Sequence, residues 1–219
     1  MKTVLCVQTY PGANETFLRH MPFYLNAGAS EVIAITTDDG GCIVPNGVKE
    51  FKTGRNQYIE GRHLSKRLID TVAAALDHDA DRIVVIEYDA IFLRAIPDDL
   101  EAGIHAVLVG GRYPGFKCDR FYHCPWIFDK ASAERFVSLG QEFIEAGEIE
   151  HGSPDVFLGL VTECVDIPVH DLRISQRSYS VNSLDIPHQR MEARQAIKDG
   201  ALSVHGVKDQ EQLDFILSK

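Results

Sequence analysis

The chain lacks any long uninterrupted run of apolar residues, although 45% of its 219 residues are hydrophobic. A helix that spans a bilayer needs about 20 consecutive apolar residues, so the sequence predicts no transmembrane segment. The N-terminal segment 1–7 is too short for the core of a signal peptide and is typical of a first buried strand. We therefore expect a cytoplasmic protein.

Paired cysteines are also missing. The five cysteines stand at positions 6, 42, 118, 124 and 164 and form no Cys-x-x-Cys pair. An odd number of scattered cysteines is typical of reduced thiols, and it favours neither a disulfide framework nor a structural zinc site, which usually needs two ordered pairs of ligands. Cys118 and Cys124, with His123 between them, do not meet that requirement.

The chain has no cluster of basic residues, and its formal net charge is −10. Proteins that bind nucleic acids neutralise the phosphate backbone with grouped Lys and Arg side chains. The sequence therefore predicts no nucleic-acid partner. An acidic protein can still hold an anionic diphosphate when a divalent cation lies between the two.

Glycine-rich phosphate loops are missing as well. The first predicted strand is followed by Gln8-Thr9-Tyr10-Pro11-Gly12, without the Gly-x-Gly-x-x-Gly of dinucleotide-binding proteins. In the segment 110–117, Phe116 stands where a Walker A loop requires Lys. The glycine-rich, Arg-containing loop of sugar nucleotidyltransferases is missing too, but that class shares the α/β layout and the need for a metal. A sugar nucleotidyltransferase is therefore kept as an alternative function.

Short apolar strands alternate with amphipathic helices along the whole chain, without a linker or an internal repeat. Strands that are apolar on both faces predict a mostly parallel central sheet with helices on both faces. The pattern therefore indicates one α/β domain over residues 1–219. The predicted strands are 3–7, 31–36, 82–86, 106–109, 124–128, 165–169 and 202–205, and the predicted helices are 14–26, 62–76, 132–146, 154–163 and 210–217.

The strand 82–86 ends in Glu87-Tyr88-Asp89, at the edge of the sheet where ligands of parallel α/β proteins bind. Because side chains alternate along a strand, Glu87 and Asp89 are expected on one face and Tyr88 on the other. Two carboxylates side by side repel each other unless a cation occupies the gap. Oxygen ligands at this spacing suit Mg²⁺ or Mn²⁺. The other interpretation is a solvated strand end with ordinary surface acids.

The stretch 82–97, in which a short apolar segment and Pro97 follow the two acids, resembles the Asp-x-Asp region of GT-A glycosyltransferases. Glu87 stands where that family usually has its first Asp. The resemblance implies a GT-A-like fold, with a nucleotide-binding half over 1–110 and an acceptor-side half over 111–219. It also implies that Asp89 binds the metal directly, and that Glu87 contacts the metal, its water or the ribose of the donor.

Two further segments are similar to parts of this family. The segment Ser203–Lys208 resembles its late His-Gly segment, which implies that His205 is a metal ligand and that Lys208 meets the phosphates. The segment Ser153-Pro154-Asp155 opens a helix, and it resembles the segment that carries the catalytic base of inverting members. Plain helix capping explains Asp155 equally well.

The remaining candidates are expected to contact the nucleotide-sugar. Asp38 and Asp39 follow the second strand, where the resemblance implies an acid that binds the base, although a turn before Gly40 explains them equally well. Tyr10 and Tyr88 follow the first strand and the strand 82–86. Arg62 and Lys66, with Arg55 before them, belong to a stretch rich in cations, which either meets the donor or forms a solvated helix face. Trp126 is expected in the core.

The sequence thus predicts a glycosyltransferase that depends on Mn²⁺ or Mg²⁺. Its donor is a nucleotide-sugar, with UDP as the expected nucleotide, and its acceptor is a hydroxyl of a glycan, a lipid-linked sugar or a protein, with inversion favoured. Two alternatives stay open. One is a sugar nucleotidyltransferase, and the other is a non-catalytic protein of the same fold that only binds a nucleotide or a partner.

Overall fold

The computed structural model describes residues 1–38, 40–53, 62–110, 120–146, 153–181 and 183–218, without the side chains at 62–64, 110, 120 and 165. The strands are β1 (Thr3–Gln8), β2 (Glu31–Thr37), β3 (Lys49–Thr53), β4 (Arg82–Glu87), β5 (Ile91–Phe92), β6 (Ile104–Gly110), β7 (Arg120–Asp129), β8 (Val169–Asp171), β9 (Tyr179–Ser180) and β10 (Ser203–His205). The helices are α1 (Asn14–Asn26), α2 (Arg62–Asp77), α3 (Lys130–Glu145), α4 (Pro154–Val165), α5 (Leu172–Ser175), α6 (Pro187–Lys198) and α7 (Gln210–Leu217).

Seven strands form the central sheet, in the order β3-β2-β1-β4-β7-β6-β8. Neighbouring strands pair in parallel except at β7, which is antiparallel to both β4 and β6. β1 and β2 are buried along almost their whole length, as is β4 up to its last residue. Backbone groups at such depth need the complete set of hydrogen bonds that a sheet interior provides. The predicted α/β architecture with a mostly parallel sheet is confirmed, and helices flank this sheet.

A second, three-stranded sheet has the order β5-β10-β9. β10 pairs antiparallel with β5 and parallel with β9, so that Val204 lies between Ile91 and Tyr179. β5 follows almost directly after the end of β4. The small sheet therefore carries the late segment of the chain to the carboxyl end of a central strand.

One predicted strand, 165–169, is wrong in its position. Helix α4 continues to Val165, and Asp166 ends it with a left-handed φ of 48°. Ile167 and Pro168 follow, and pairing with β6 begins only at Val169. An apolar run that spans a helix end and a strand start has no periodicity that separates the two.

The helices of the described ranges are too short or too polar to form a membrane span.

Gly206 directly follows β10 and has a φ of +95°. A Cβ atom at this position would lie 2.5 Å from the carbonyl oxygen of Val181. Gly200 has a similar φ of +85°, but a Cβ atom there would meet no atom of the described part of the chain within 4 Å. Alanine substitutions at these two positions therefore distinguish the free-energy cost of a positive φ from that of the steric clash, because only Gly206 has the clash.

We expect Gly206→Ala to lower the free energy of unfolding by about 2–4 kcal/mol, and Gly200→Ala by only about 1 kcal/mol. Urea unfolding of both variants measures the difference. Equal losses would contradict the tight approach of the chain at Gly206.

Candidate metal centre

The chain turns sharply where β4 ends. The backbone N–H of Ala90 donates to the carbonyl oxygen of Glu87 over 3.0 Å, so that Tyr88 and Asp89 lie in a turn beyond the strand. As a result Glu87, Tyr88 and Asp89 all line one cavity of about 370 Å³. The expectation that Tyr88 points away from the two acids is therefore wrong, because strand alternation does not extend into a turn.

His205 meets both acids across a sequence separation of more than a hundred residues. Its Nε2 lies 3.1 Å from Oε2 of Glu87 and 3.1 Å from Oδ1 of Asp89. The backbone supports this meeting, because the N–H of Val207 donates to the carbonyl oxygen of Asp89 over 2.9 Å. The two acids expected to bind a metal thus both contact the same nitrogen of His205.

Asp89 and His205 are buried together, with side chains only 4% and 6% exposed. Burial acts to raise the pKa of Asp89, but the charge and hydrogen bonding of His205 and the charge of Lys208 together hold that pKa below its usual value. Burial likewise acts to lower the pKa of His205, but Cys124 and Asp89 hold that pKa well above its usual value. The pair therefore exists as a carboxylate and an imidazolium.

Among the residues that the structure describes, the buried Oδ1 of Asp89 has no hydrogen-bond partner, although it lies at ion-pair distance from His205. The hydrogen bond of His205 Nε2 goes to Glu87 instead. In the metal-free protein the charge of His205 compensates this buried oxygen. A divalent ion would take over that compensation, and the carboxylate and imidazole groups beside it are ligands that such an ion accepts, so the residues present fit a metal.

Cys124 on β7 also belongs to this site, which the sequence analysis did not recognise. One ligand atom from each of Glu87, Cys124 and His205 lies within 4.8 Å of the other two. Burial raises the pKa of the Cys124 thiol to about 11, so this thiol is protonated at neutral pH. The four cysteines of the described ranges are free, as expected, and Cys118 lies outside those ranges.

Asp155 lies in the first turn of α4 and lines the same cavity. Burial and the negative charge of Glu87 raise its pKa to about 8. The Nε2 atom of His123 on β7 lies 3.8 Å from Oδ2 of Asp155. Asp155 is therefore a carboxyl that gains and loses its proton close to physiological pH, as an acid–base group does.

A row of polar groups connects Asp155 with the metal centre. His123 Nδ1 lies 3.1 Å from the hydroxyl oxygen of Ser180, which lies 2.8 Å from Nδ1 of His205. Burial and the charge of His205 lower the pKa of His123 to about 4, so His123 is neutral. The imidazolium of His205 thus donates to Ser180, and the Ser180 hydroxyl donates to His123. These hydrogen bonds fix the orientation of the His205 ring.

Tyr10, Tyr88 and Lys208 also line the cavity, together with Gln8, which the sequence analysis did not single out. The rings of Tyr10 and Tyr88 pack edge to face with centroids 5.3 Å apart. They form an aromatic wall beside the acids. Lys208 is exposed, and it follows His205 by three residues.

Other predicted donor-binding residues are not brought to this cavity. Asp38 is exposed at the end of β2, and Lys66 on α2 forms an exposed ion pair with Asp70 at 2.6 Å. Asp39 and Arg55 lie outside the described residues, and so does the side chain of Arg62. Their roles stay predictions. Trp126 is fully buried in the core, as expected.

No model of a known protein family matches this chain, and no curated protein matches its sequence. Its function has to be inferred from the geometry of the cavity and the chemistry of the side chains around it.

Metal binding at this centre is expected to strengthen as the pH rises. Below its raised pKa, His205 carries a proton that a metal ion must displace, so that metal affinity grows by about tenfold per pH unit for each proton displaced and levels off above that pKa. Calorimetric titration with Mn²⁺ between pH 6 and pH 8, in buffers of different ionisation enthalpy, measures affinity and proton release together.

The matched control for this titration is His205→Gln, which keeps a polar side chain but carries no titratable proton. We expect it to bind Mn²⁺ weakly and to release no proton from this position. Tight binding by wild type that is independent of pH and releases no proton would contradict the assignment of His205.

Proposed function

We propose that this protein is a metal-dependent glycosyltransferase that moves a sugar from a nucleotide-sugar, with UDP as the favoured nucleotide, to a hydroxyl acceptor. The observation that carries the proposal is the convergence of Glu87, Asp89 and His205 on one cavity beyond the carboxyl end of β4. Ligands of parallel α/β sheets bind at this edge. The resemblance to the GT-A family requires the same three side chains to meet there.

The charge balance of the cavity supports a diphosphate bound through a cation. Glu87, Asp89 and Asp155 line it, and among the described residues Lys208 is the one lysine or arginine that does. The carboxylates of Glu87 and Asp89 repel a free diphosphate, whereas a divalent ion held by Asp89, Glu87 and His205 attracts one. When bound, the ion neutralises the charge that develops on the departing nucleoside diphosphate. Lys208 adds positive charge beside it.

The aromatic wall supports the binding of a nucleoside. Tyr10 and Tyr88 offer ring surface next to the acids, as the sequence analysis expects of residues that follow β1 and β4. Flat apolar surface beside a few fixed polar groups is typical of small-molecule sites. Gln8 supplies an amide at the same wall.

Asp155 is the residue that we assign to the general base. It lines the cavity from α4, a different element from those that carry the metal ligands. Burial is the largest cause of the rise in its pKa, and the charge of Glu87 adds to it, so a divalent ion beside Glu87 lowers that pKa. In its carboxylate form Asp155 accepts the proton of the attacking hydroxyl as the new glycosidic bond forms.

The GT-A fold is part of the same proposal. It is supported by the mostly parallel sheet, by two acids directly after a central strand, and by a His-Gly segment that a small second sheet carries to those acids. No Asp occupies the first acid position, but Glu87 reaches the same imidazole.

We expect UDP and Mn²⁺ to stabilise the protein together by more than the sum of their separate effects. A ligand at about 100 times its dissociation constant adds about 2.7 kcal/mol to the free energy of unfolding. Thermal unfolding with UDP, with Mn²⁺, and with both measures the synergy.

The control variants for this experiment are Asp89→Asn, which should lose the synergy, and Asp214→Asn, an exposed acid on α7 that should keep it. Absence of synergy for UDP and for the other nucleoside diphosphates would reject the proposed function.

Asp155→Asn is expected to lower the metal-dependent hydrolysis of the donor by about 100-fold or more, because the amide does not accept a proton. The stabilisation by UDP with Mn²⁺ should survive, since Asp155 is not among the proposed metal ligands. A panel of nucleotide-sugars, assayed for released nucleoside diphosphate, measures the loss.

Glu142→Gln on the exposed surface of α3 is the matched control, and it should hydrolyse donors like wild type. Full turnover by Asp155→Asn would remove Asp155 from the role of base. Synergy without any hydrolysis in wild type would favour the non-catalytic alternative.

A further inference from the structure

Cys124 places a sulfur atom at a centre that is otherwise built from carboxylates and imidazole. One ligand atom each from Glu87, Cys124 and His205 lies within 4.8 Å of the others, and Cys124 is fully buried. We propose that Cys124 is a thiolate ligand of this metal centre, which therefore takes Zn²⁺ or Co²⁺ in preference to Mg²⁺ or Mn²⁺. This inference rests on the metal site of the proposed function and changes the identity of its ion.

The distances between the ligand atoms support a shared ion. Sulfur and nitrogen bind Zn²⁺ at about 2.3 Å and 2.1 Å, and the tetrahedral angles of the ion place two such ligand atoms about 3.6 Å apart. The ligand atoms of the metal-free arrangement lie within 4.8 Å of one another. Side-chain rotations that bring these atoms closer by about 1 Å would complete the site.

Asp89 gives a second, independent indication of an ion at this centre. Its buried Oδ1 lies 3.1 Å from Nε2 of His205 and has no hydrogen-bond partner among the described residues. The group of possible ligand atoms itself holds one sulfur, one nitrogen and one carboxylate oxygen. Three protein ligands with a further position left open are the pattern of a catalytic zinc site.

The chemistry of sulfur determines the choice of metal. Thiolate is a soft ligand that favours Zn²⁺ and its neighbours, whereas Mg²⁺ and Mn²⁺ favour carboxylate, carbonyl and water oxygens. On binding, the thiol proton leaves to solvent as the bond from sulfur to metal forms. The positive ion then compensates the negative charges of the thiolate and of the carboxylates, which are costly to bury alone.

Cys6 is a cysteine of the hydrophobic core, and it provides a comparison for Cys124. It is fully buried in β1, and it belongs to no group of possible metal ligands among the described residues. A free buried cysteine of this kind behaves as a small apolar side chain. Cys124 differs because its sulfur faces an acid and an imidazole, and an apolar role does not account for that environment.

Titration of the metal-free protein with Co²⁺ tests this inference without any assay of activity. A cobalt ion bound to thiolate has a strong charge-transfer absorption in the near ultraviolet, which oxygen and nitrogen ligands do not produce. We expect this band in wild type at one equivalent, and we expect Zn²⁺ to remove it. Mg²⁺ in large excess should leave the band in place.

Cys124→Ser should lose the band and bind Zn²⁺ more weakly by more than about tenfold, whereas Cys42→Ser and Cys164→Ser should keep both properties. If Cys124→Ser does not fold, Cys124→Ala takes its place. A triple variant with serine at 42, 118 and 164, which retains only the two buried cysteines, must still show the band. Cobalt binding without the band, or a band that survives loss of Cys124, would overturn the inference.

The same titrations separate this inference from the proposed function. A thiolate band without any synergy between metal and nucleoside diphosphates rejects glycosyl transfer and retains Cys124 as a ligand. Synergy of UDP with Mn²⁺ in a protein without the band rejects Cys124 as a ligand and leaves the proposed function standing.

Discussion

The buried ion pair of Asp89 and His205 is the interaction on which the site depends. Taking two charges out of water costs several kcal/mol for each ion, and removal of one partner from such a pair costs about 3–5 kcal/mol. The arrangement persists because two sheets fix the partners independently. β4 ends just before the turn that holds Asp89, while β10 ends at His205 and pairs with β5. The late segment of the chain is thereby tied to the central sheet.

The same pair makes protons and metal ions competitors for one position. In the metal-free protein the imidazolium of His205 compensates Asp89, and a divalent ion that takes this role requires neutral His205. Ser180 and His123 extend the site from His205 to Asp155 through contacts of 2.8 Å, 3.1 Å and 3.8 Å. The charge at the metal centre and the protonation of Asp155 are therefore coupled, because Glu87 contributes to both.

The parts of the site that leave a local pattern are predictable from the sequence. The apolar run of β4 predicts a buried strand, and the acids after it follow from that position, while the resemblance of the His-Gly segment points to His205. The spacing of Cys124 fits no zinc motif, yet β7 pairs beside β4 and carries Cys124 to the site. Such pairing is decided by tertiary structure and leaves no local signal.

The elements of the fold also differ in whether a local sequence pattern predicts them. Helix α6 is not predictable from the sequence because it is polar and buries little more than Ala193, and β3 is not predictable because most of its residues are exposed. The turn after Glu87 is not predictable because a strand pattern does not show where pairing stops. Long buried elements are thus readable from sequence, whereas edge strands, polar helices and strand ends are decided by packing that a single sequence does not display.

Anomalous diffraction from a crystal grown with Co²⁺ and UDP tests the central claim most directly, because it locates the ion itself. We expect one peak within about 2.0–2.3 Å of the ligand atoms of Asp89 and His205, with the diphosphate bound to the same ion. A peak elsewhere, or a diphosphate bound in the cavity without an ion between it and these side chains, would contradict the account.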